Sequence, residues 1–486
     1  MTMVPDRPNI LFFFSDQHRG DWMPYAQPSS SPEGDAPPLR MPNIRSLMDR
    51  GTTFTRAATN SPLCVPARAC LALGQDYEHC GAWNNDFCCP LDHITFYRVL
   101  REGGYAVSGV GKFDLHKPIL YWGEQGWIPQ LEKLGFTRAL ENEGKGDAVW
   151  AFQHTGAGPY GRFLQERGLM EEYCADHLRR VKDPTGSWAA EIPEDAYADN
   201  WVTENALTEL RCLAEGDRPW FLMVNFSGPH DPWDVTQDMK RRWEHTPFPI
   251  PEELKGLADA LTGVRQNYAA MLENIDRCIG VVLDEVDRLK LDRETVVIYS
   301  ADHGEMLGDR NRFFKSVPYA PAVHIPLVIS GPGVLQNNRC GALVQLHDLA
   351  ATITGFAGLS MPPDVDSKSL LPLAANDGAP PVRGYQYAAL YTHMRESGGP
   401  AAGYEEYAEF QKRSDRAEPF PTQRGPSGWR SVITERFKYV EYLESGRREL
   451  YDLLLDGREM HNITDEAPAL VQKFQTFLAE RFPVNL

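Results

Sequence analysis

Short apolar runs that stop abruptly at acidic or amide side chains restrict the fold of this chain more than any other feature. Asn9-Ile10-Leu11-Phe12-Phe13-Phe14 is followed at once by Ser15-Asp16-Gln17-His18. Far downstream, Thr295-Val296-Val297-Ile298-Tyr299-Ser300 ends in Ala301-Asp302-His303-Gly304-Glu305. An apolar run without alternation is expected where both faces of a strand are buried, as in a parallel sheet between helices. Residues 106–110, 220–226 and 325–329 read in the same way, and residues 264–289 carry apolar side chains at helical spacing. The alternation predicts an α/β fold, a large mainly parallel sheet sandwiched by helices. Ligands of such open sheets bind outside the carboxyl ends of the strands. Asp16 and Gln17 are therefore expected to meet Asp302 and His303 at one sheet edge.

The same patterning predicts an organisation along the chain. Residues 1–375 read as one α/β domain, with residues 123–199, poor in strands and rich in Trp, Tyr and Gly, as an insertion beside the cleft. Asn376-Asp377-Gly378-Ala379-Pro380-Pro381 reads as a linker. Residues 382–486 read as a smaller subdomain of short antiparallel strands (387–391, 429–434, 437–443 and 449–453) closed by a helix over 468–481. The polar, Gly/Pro-rich stretch 397–428 is expected as a loop over the cleft or an arm of a homo-oligomer.

Two carboxylates, an amide oxygen and an imidazole suit a divalent cation. The oxygen-rich set favours Ca²⁺ or Mg²⁺, and the histidine leaves Mn²⁺ open. Taken singly, each pair also reads as ordinary turn chemistry. A second constellation lies at Cys64-Val65-Pro66-Ala67-Arg68. Proline lacks an N–H and suits the first turn of a helix, and Gly74 is a natural stop. Cys64 is then expected at the helix N-terminus with Arg68 four residues on along the same face. Oriented N–H groups, the helix dipole and a guanidinium favour an oxyanion there.

The run Ser61-Pro62-Leu63-Cys64-Val65-Pro66-Ala67-Arg68 resembles the C-x-P-x-R signature of type I sulfatases, in the alkaline phosphatase superfamily. In that family the cysteine is oxidised to formylglycine, whose hydrate is the nucleophile. The Asp-Gln and Asp-His pairs resemble those of choline sulfatases and phosphonate monoester hydrolases. The resemblance implies that Asp16, Gln17, Asp302, His303 and the residue at position 64 hold one metal ion, Ca²⁺ before Mg²⁺ or Mn²⁺. It further implies that Lys112, His230 and Lys315 face the sulfate with Arg68. Lys112 fits the family's Gly-Lys-x-His segment, but Asp114 stands in the histidine's place, so His116 is expected to act as base with Asp114 orienting it. Asn85 matches a pocket asparagine of the family, and Asp231 and Trp233 are expected to shape the substrate side.

The activity implied by the resemblance is hydrolysis of carbohydrate or aryl sulfate monoesters, by a chain that depends on a formylglycine-generating maturation enzyme. The aromatics of residues 123–199 would stack on the sugar or phenyl ring. Two rivals stand beside this reading: a phosphonate monoester or phosphodiester hydrolase on the same scaffold, and an inactive homologue that keeps only the metal. Composition adds exclusions. The net charge is −18, which repels nucleic acid and anionic membranes. The first apolar run lacks a basic flank and is too short for a signal peptide. The nine cysteines lack regular spacing, so free thiols in a reducing cytoplasm are expected.

Overall fold

The first apolar run becomes β1 (Asn9–Ser15), and its lack of alternation is explained by what covers it. All seven residues are buried. Ile10, Phe12 and Phe14 belong to one hydrophobic cluster and Leu11 and Phe13 to the other, because successive strand side chains point to opposite faces. Each buried phenylalanine contributes on the order of 1.5–3 kcal/mol from removal of apolar surface. The computed structural model describes residues 7–25, 39–117, 128–154, 156–183, 185–248, 250, 258–391 and 428–483.

The next strands are β2 (Gly51–Phe54), β3 (Ala57–Ala58), β4 (Ala106–Gly111), β5 (Arg138–Glu141), β6 (Trp220–Asn225) and β7 (Thr295–Ala301). After them come β8 (His324–Ile325), β9 (Leu327–Ser330), β10 (Asn338–Cys340) and β11 (Val344–Gln345). The chain ends with β12 (Gln386–Tyr391), β13 (Gly428–Ile433), β14 (Phe437–Tyr442), β15 (Arg448–Asp452) and the helix Pro468–Arg481.

Eight strands form the main sheet in the order β10-β2-β9-β7-β1-β6-β4-β5. The stretch from β7 to β5 is parallel throughout. The run at 325–329 differs from the expected parallel strand in two ways. It is split at Pro326, which has no N–H for a ladder. Its first half, β8, pairs with β3 in a small sheet of order β11-β3-β8. Its second half, β9, enters the main sheet antiparallel to both β7 and β2.

The expected C-terminal strands form an antiparallel sheet of order β12-β13-β14-β15. Tyr387, Tyr439 and Leu450 on one face join Phe474 and Leu478 of the final helix in the first cluster. Ala388, Leu390, Trp429 and Val440 pack against Ala58 and Val323 on the other. The stretch 376–381 is an irregular, largely exposed connection. Residues 397–427, expected as a loop or arm, lie outside the described residues. Among the described residues no helix is long and apolar enough to cross a membrane.

Candidate active site

Strand pairing alone brings the two acidic tips together. Ser15 of β1 stands opposite Ala301 of β7, so Asp16 and Asp302 leave adjacent strands at the same level. The Asp302 N–H donates to Ser15 O at 3.3 Å. On the other side β6 and β4 contribute their own ends, with Asp16 N donating to Gly228 O at 3.1 Å and Lys112 N to Asn225 O at 3.1 Å.

The fifth wall is the helix Cys64–Leu73. All ten of its residues are buried, and it ends at Gly74 in the left-handed region, φ 66°, a conformation that glycine adopts without a Cβ clash. Leu63 gives its N-terminus no side-chain cap. Asn85 does so from outside, accepting from the Val65 N–H at 3.1 Å. That places Asn85 beside Cys64 as a support of the helix end.

Cys64 Sγ lies 3.4 Å from His303 Nε2 and 3.9 Å from Asp16 Oδ1. His303 Nε2 is in turn 3.9 Å from Asp16 Oδ1 and 3.8 Å from Asp302 Oδ1. One ligand atom from each of these four residues falls within 4.8 Å of the others, and all four residues are buried. The outer edge of each acid is held by a cation. Arg68 reaches Asp302 Oδ2 at 2.9 Å and Asp16 Oδ2 at 3.2 Å, and Lys112 Nζ reaches Asp16 Oδ2 at 2.5 Å. The Oδ1 atoms are thereby left facing inward. His303 Nδ1 lies 3.0 Å from Gly304 O. That contact places the ring proton on Nδ1 and leaves the Nε2 lone pair toward the group.

The electrostatics follow the packing. Burial would raise the Asp16 pKa, but the Lys112, Arg68 and Lys315 charges hold it well below the usual range. Burial, reinforced by Asp16, pushes the Cys64 thiol up to about 12. As a cysteine, residue 64 is protonated at neutral pH and is a poor nucleophile. Burial, then Lys315, lowers His230 to about 3, so this imidazole is neutral and takes a hydrogen bond from the Lys315 ammonium on Nε2.

Four expectations are qualified or changed by the structure. Gln17 Oε1 accepts from Lys315 Nζ at 2.5 Å, so the lysine shares the oxygen expected to serve as a ligand. Asp114 does not orient His116. It pairs with Lys112 and Lys117, each at 3.3 Å, and these cations overcome its burial to hold it at about 2. His116 is buried with no hydrogen-bond partner on either ring nitrogen, and burial with the nearby Lys133 charge lowers it to about 4. Trp233 is a core residue at 1% exposure, stacked on Phe314, so it does not face substrate. The aromatics expected to stack on a ring are likewise mostly core: Trp150, Tyr160, Tyr173 and Tyr197 are buried.

Two residues carry weight that sequence reasoning did not give them. Glu305 accepts from Gln17 Nε2 at 2.5 Å across 288 residues of chain, a separation no local pattern reveals. Lys145 donates to His230 O at 2.8 Å and Pro232 O at 3.2 Å and pairs with Asp234, which fixes the loop that carries His230. No pair of cysteines is joined in a disulfide among the described residues.

The family described as Sulfatase matches residues 8–359. A choline-sulfatase of Rhizobium meliloti (strain 1021) is 27% identical over 414 residues, covering 76% of this chain and 72% of that protein. Arylsulfatase K of Mus musculus is 23% identical over 488 residues, covering 96% and 78%. The phosphonate monoester hydrolase of Silicibacter pomeroyi superposes with a TM-score of 0.75 at 21% identity, covering 98% of this chain and 95% of that one. That of Agrobacterium radiobacter gives 0.73 at 22%, with the same coverage. At such identities the structural likeness speaks to the fold.

Proposed function

Because the chain belongs to the sulfatase family and is a sulfuric ester hydrolase, we propose that it cleaves sulfate monoesters with a formylglycine made from Cys64, beside one divalent cation. The observation that carries this reading is the convergence of Asp16, Cys64, Asp302 and His303 on one buried point. Two buried carboxylate oxygens and an imidazole lone pair around a common centre are favoured by a cation between them. The donor set of two carboxylate oxygens and one imidazole fits Ca²⁺ and leaves Mn²⁺ or Mg²⁺ open. When bound, the cation supplies Lewis acidity toward the ester oxygens and the nucleophile.

The thiol supports the same reading. At the helix N-terminus, beside Asp16 and His303, Cys64 converted to an aldehyde would carry the hydrate's oxygen nucleophile next to the proposed cation. The remaining work falls to the chain's own cations. Arg68 and Lys112 are buried among carboxylates that raise both of their pKa values despite burial, so both stay charged and stabilise negative charge that develops on the sulfuryl oxygens. Lys315 holds a proton at His230 Nε2, at the more exposed side of the site, where a leaving alcohol needs one. His116, buried without a partner, is not the base in this reading.

The substrate reading is a small carbohydrate or aryl sulfate. Phosphonate monoester hydrolysis is the alternative, since arginine and lysine serve either tetrahedral ester. The test is turnover by protein produced together with a formylglycine-generating enzyme, using 4-nitrophenyl sulfate, sulfated monosaccharides and a phenyl phosphonate monoester in parallel. Sulfate release with the higher kcat/KM is expected. A higher kcat/KM on the phosphonate would overturn the substrate reading, and no turnover on any of them would overturn the mechanism.

A further inference from the structure

The side-chain amide of Gln17 is held by an unusual set of partners. Its Nε2 donates to Glu305 Oε2 at 2.5 Å and to Asp231 Oδ1 at 3.2 Å. Both amide protons are thus spent on carboxylates. Its backbone is also strained, with φ 71°, in a region that side-chain-bearing residues rarely adopt. That conformation is fixed from both ends. Gln17 N donates to Asp302 Oδ1 at 3.0 Å, and the Tyr268 hydroxyl donates to Gln17 O at 2.7 Å.

Glu305 does more than accept from Gln17. Fully buried, it takes the Leu307 N–H at 3.0 Å and the Phe314 N–H at 2.6 Å on Oε1. One carboxylate therefore ties the end of β1, the turn after β7 and the residue that precedes Lys315.

We propose that Glu305 and Asp231 form a two-carboxylate clamp that orients the Gln17 amide, leaving its oxygen alone to face Lys315 and the cation. Both are positioning residues, and the proposal rests on the cation reading above. A carboxylate is required because it offers acceptors on both edges. In a Glu305→Gln variant the carbonyl stays with the two backbone N–H groups and an NH₂ meets the Gln17 NH₂. Gln17 then turns over and presents its nitrogen to Lys315, or swings away. Exchanging the two side chains, Gln17→Glu with Glu305→Gln, restores a donor–acceptor pair with an oxygen outward, although Asp231 opposes the new carboxylate.

The test is calcium binding by calorimetry on chelator-treated protein, with kcat and KM on 4-nitrophenyl sulfate beside it. Glu305→Gln is expected to weaken Ca²⁺ binding about 10–100-fold, as supporting partners of metal ligands do, and to lower kcat more than it raises KM. The exchange variant is expected to bind Ca²⁺ at least about tenfold more tightly than Gln17→Glu alone, a coupling that a merely space-filling Glu305 does not produce. Wild-type affinity in Glu305→Gln, or an exchange variant no better than Gln17→Glu, overturns the clamp. If Glu305→Gln does not fold, Asp231→Asn, at a partly exposed position, is the second variant: several-fold weaker binding supports the clamp and unchanged binding overturns it. A wild-type protein that binds neither Ca²⁺ nor Mn²⁺ removes the cation reading first, and the clamp with it.

Discussion

Two buried polar clusters, at the sheet edge and in the C-terminal region, use the same residue types and do opposite things. In the C-terminal cluster Lys438 meets Glu459 at 2.7 Å with both side chains almost wholly buried. The Tyr319 and Tyr442 hydroxyls both donate to Glu449, at 3.2 and 3.0 Å. Each charge there has a partner of opposite kind, so the cluster is closed and fastens β14 and β15 to the loop after β7. At the sheet edge the pairing is only half complete. Arg68 and Lys112 neutralise the outer oxygens of Asp16 and Asp302, while the inner oxygens, His303 Nε2 and Cys64 Sγ face one another. Buried charge by itself is a structural feature; carboxylate, imidazole and sulfur atoms converging on one buried point mark a place where chemistry is done.

Breaking the open cluster at its centre is expected to have the largest effect. Cys64→Ala should lower kcat on a sulfate ester by about 10⁴-fold or more, the scale of losing a nucleophile, and a thermal melt should show the fold retained. Removing the cation comes next. Chelator treatment should abolish turnover, Ca²⁺ or Mn²⁺ should restore it, and the melting temperature should rise with added ion, by the equivalent of about 2.7 kcal/mol at a hundredfold excess over Kd.

The closed cluster should answer in stability and not in rate. Lys438→Met leaves Glu459 buried without its cation and is expected to remove about 3–5 kcal/mol in denaturant unfolding, with kcat per folded molecule unchanged. Replacing both partners, Lys438→Met with Glu459→Leu, should recover most of that loss. An effect of either variant on kcat would erase the distinction between the clusters.

The smallest expected effect concerns a buried acid outside both clusters. Glu143 accepts from the Tyr160 and Gly161 N–H groups, and burial raises it from an ordinary 4.5 to about 7. The folded protein keeps this proton where the unfolded chain has lost it. Stability therefore falls as pH rises from about 4.5 to 7, by up to about 3 kcal/mol. Glu143→Gln, whose side chain does not titrate, should flatten that part of a stability–pH profile.

Much of the open cluster was legible in the sequence because its members are tied to strand ends. An apolar run such as residues 9–14 announces a doubly covered strand, and the polar residues after it must emerge at the sheet edge, so Asp16 and Asp302 could be paired across nearly 290 residues. The Cys64 helix was equally legible from Pro66 and Gly74. Legibility fails where the outcome depends on which side chain a distant partner claims. Asp114 and His116 are two residues apart, and nothing local says that Lys112 and Lys117 take the first while the second is buried without a partner. Gln17 reads as a ligand from its neighbour Asp16, yet Glu305, Asp231 and Lys315 decide where its amide points. The direction of β9 was hidden for a related reason: its apolar run is as uniform as that of a parallel strand, and only pairing with β7 and β2 sets its sense.

The most direct measurement is the mass of the tryptic peptide spanning residues 57–68, from protein produced together with a formylglycine-generating enzyme, alongside the turnover of the same preparation. The expected result is a peptide that has lost the Cys64 sulfur and carries an aldehyde captured by a hydrazide, in proportion to activity. Full turnover from protein whose residue 64 is still an intact thiol would contradict the central claim.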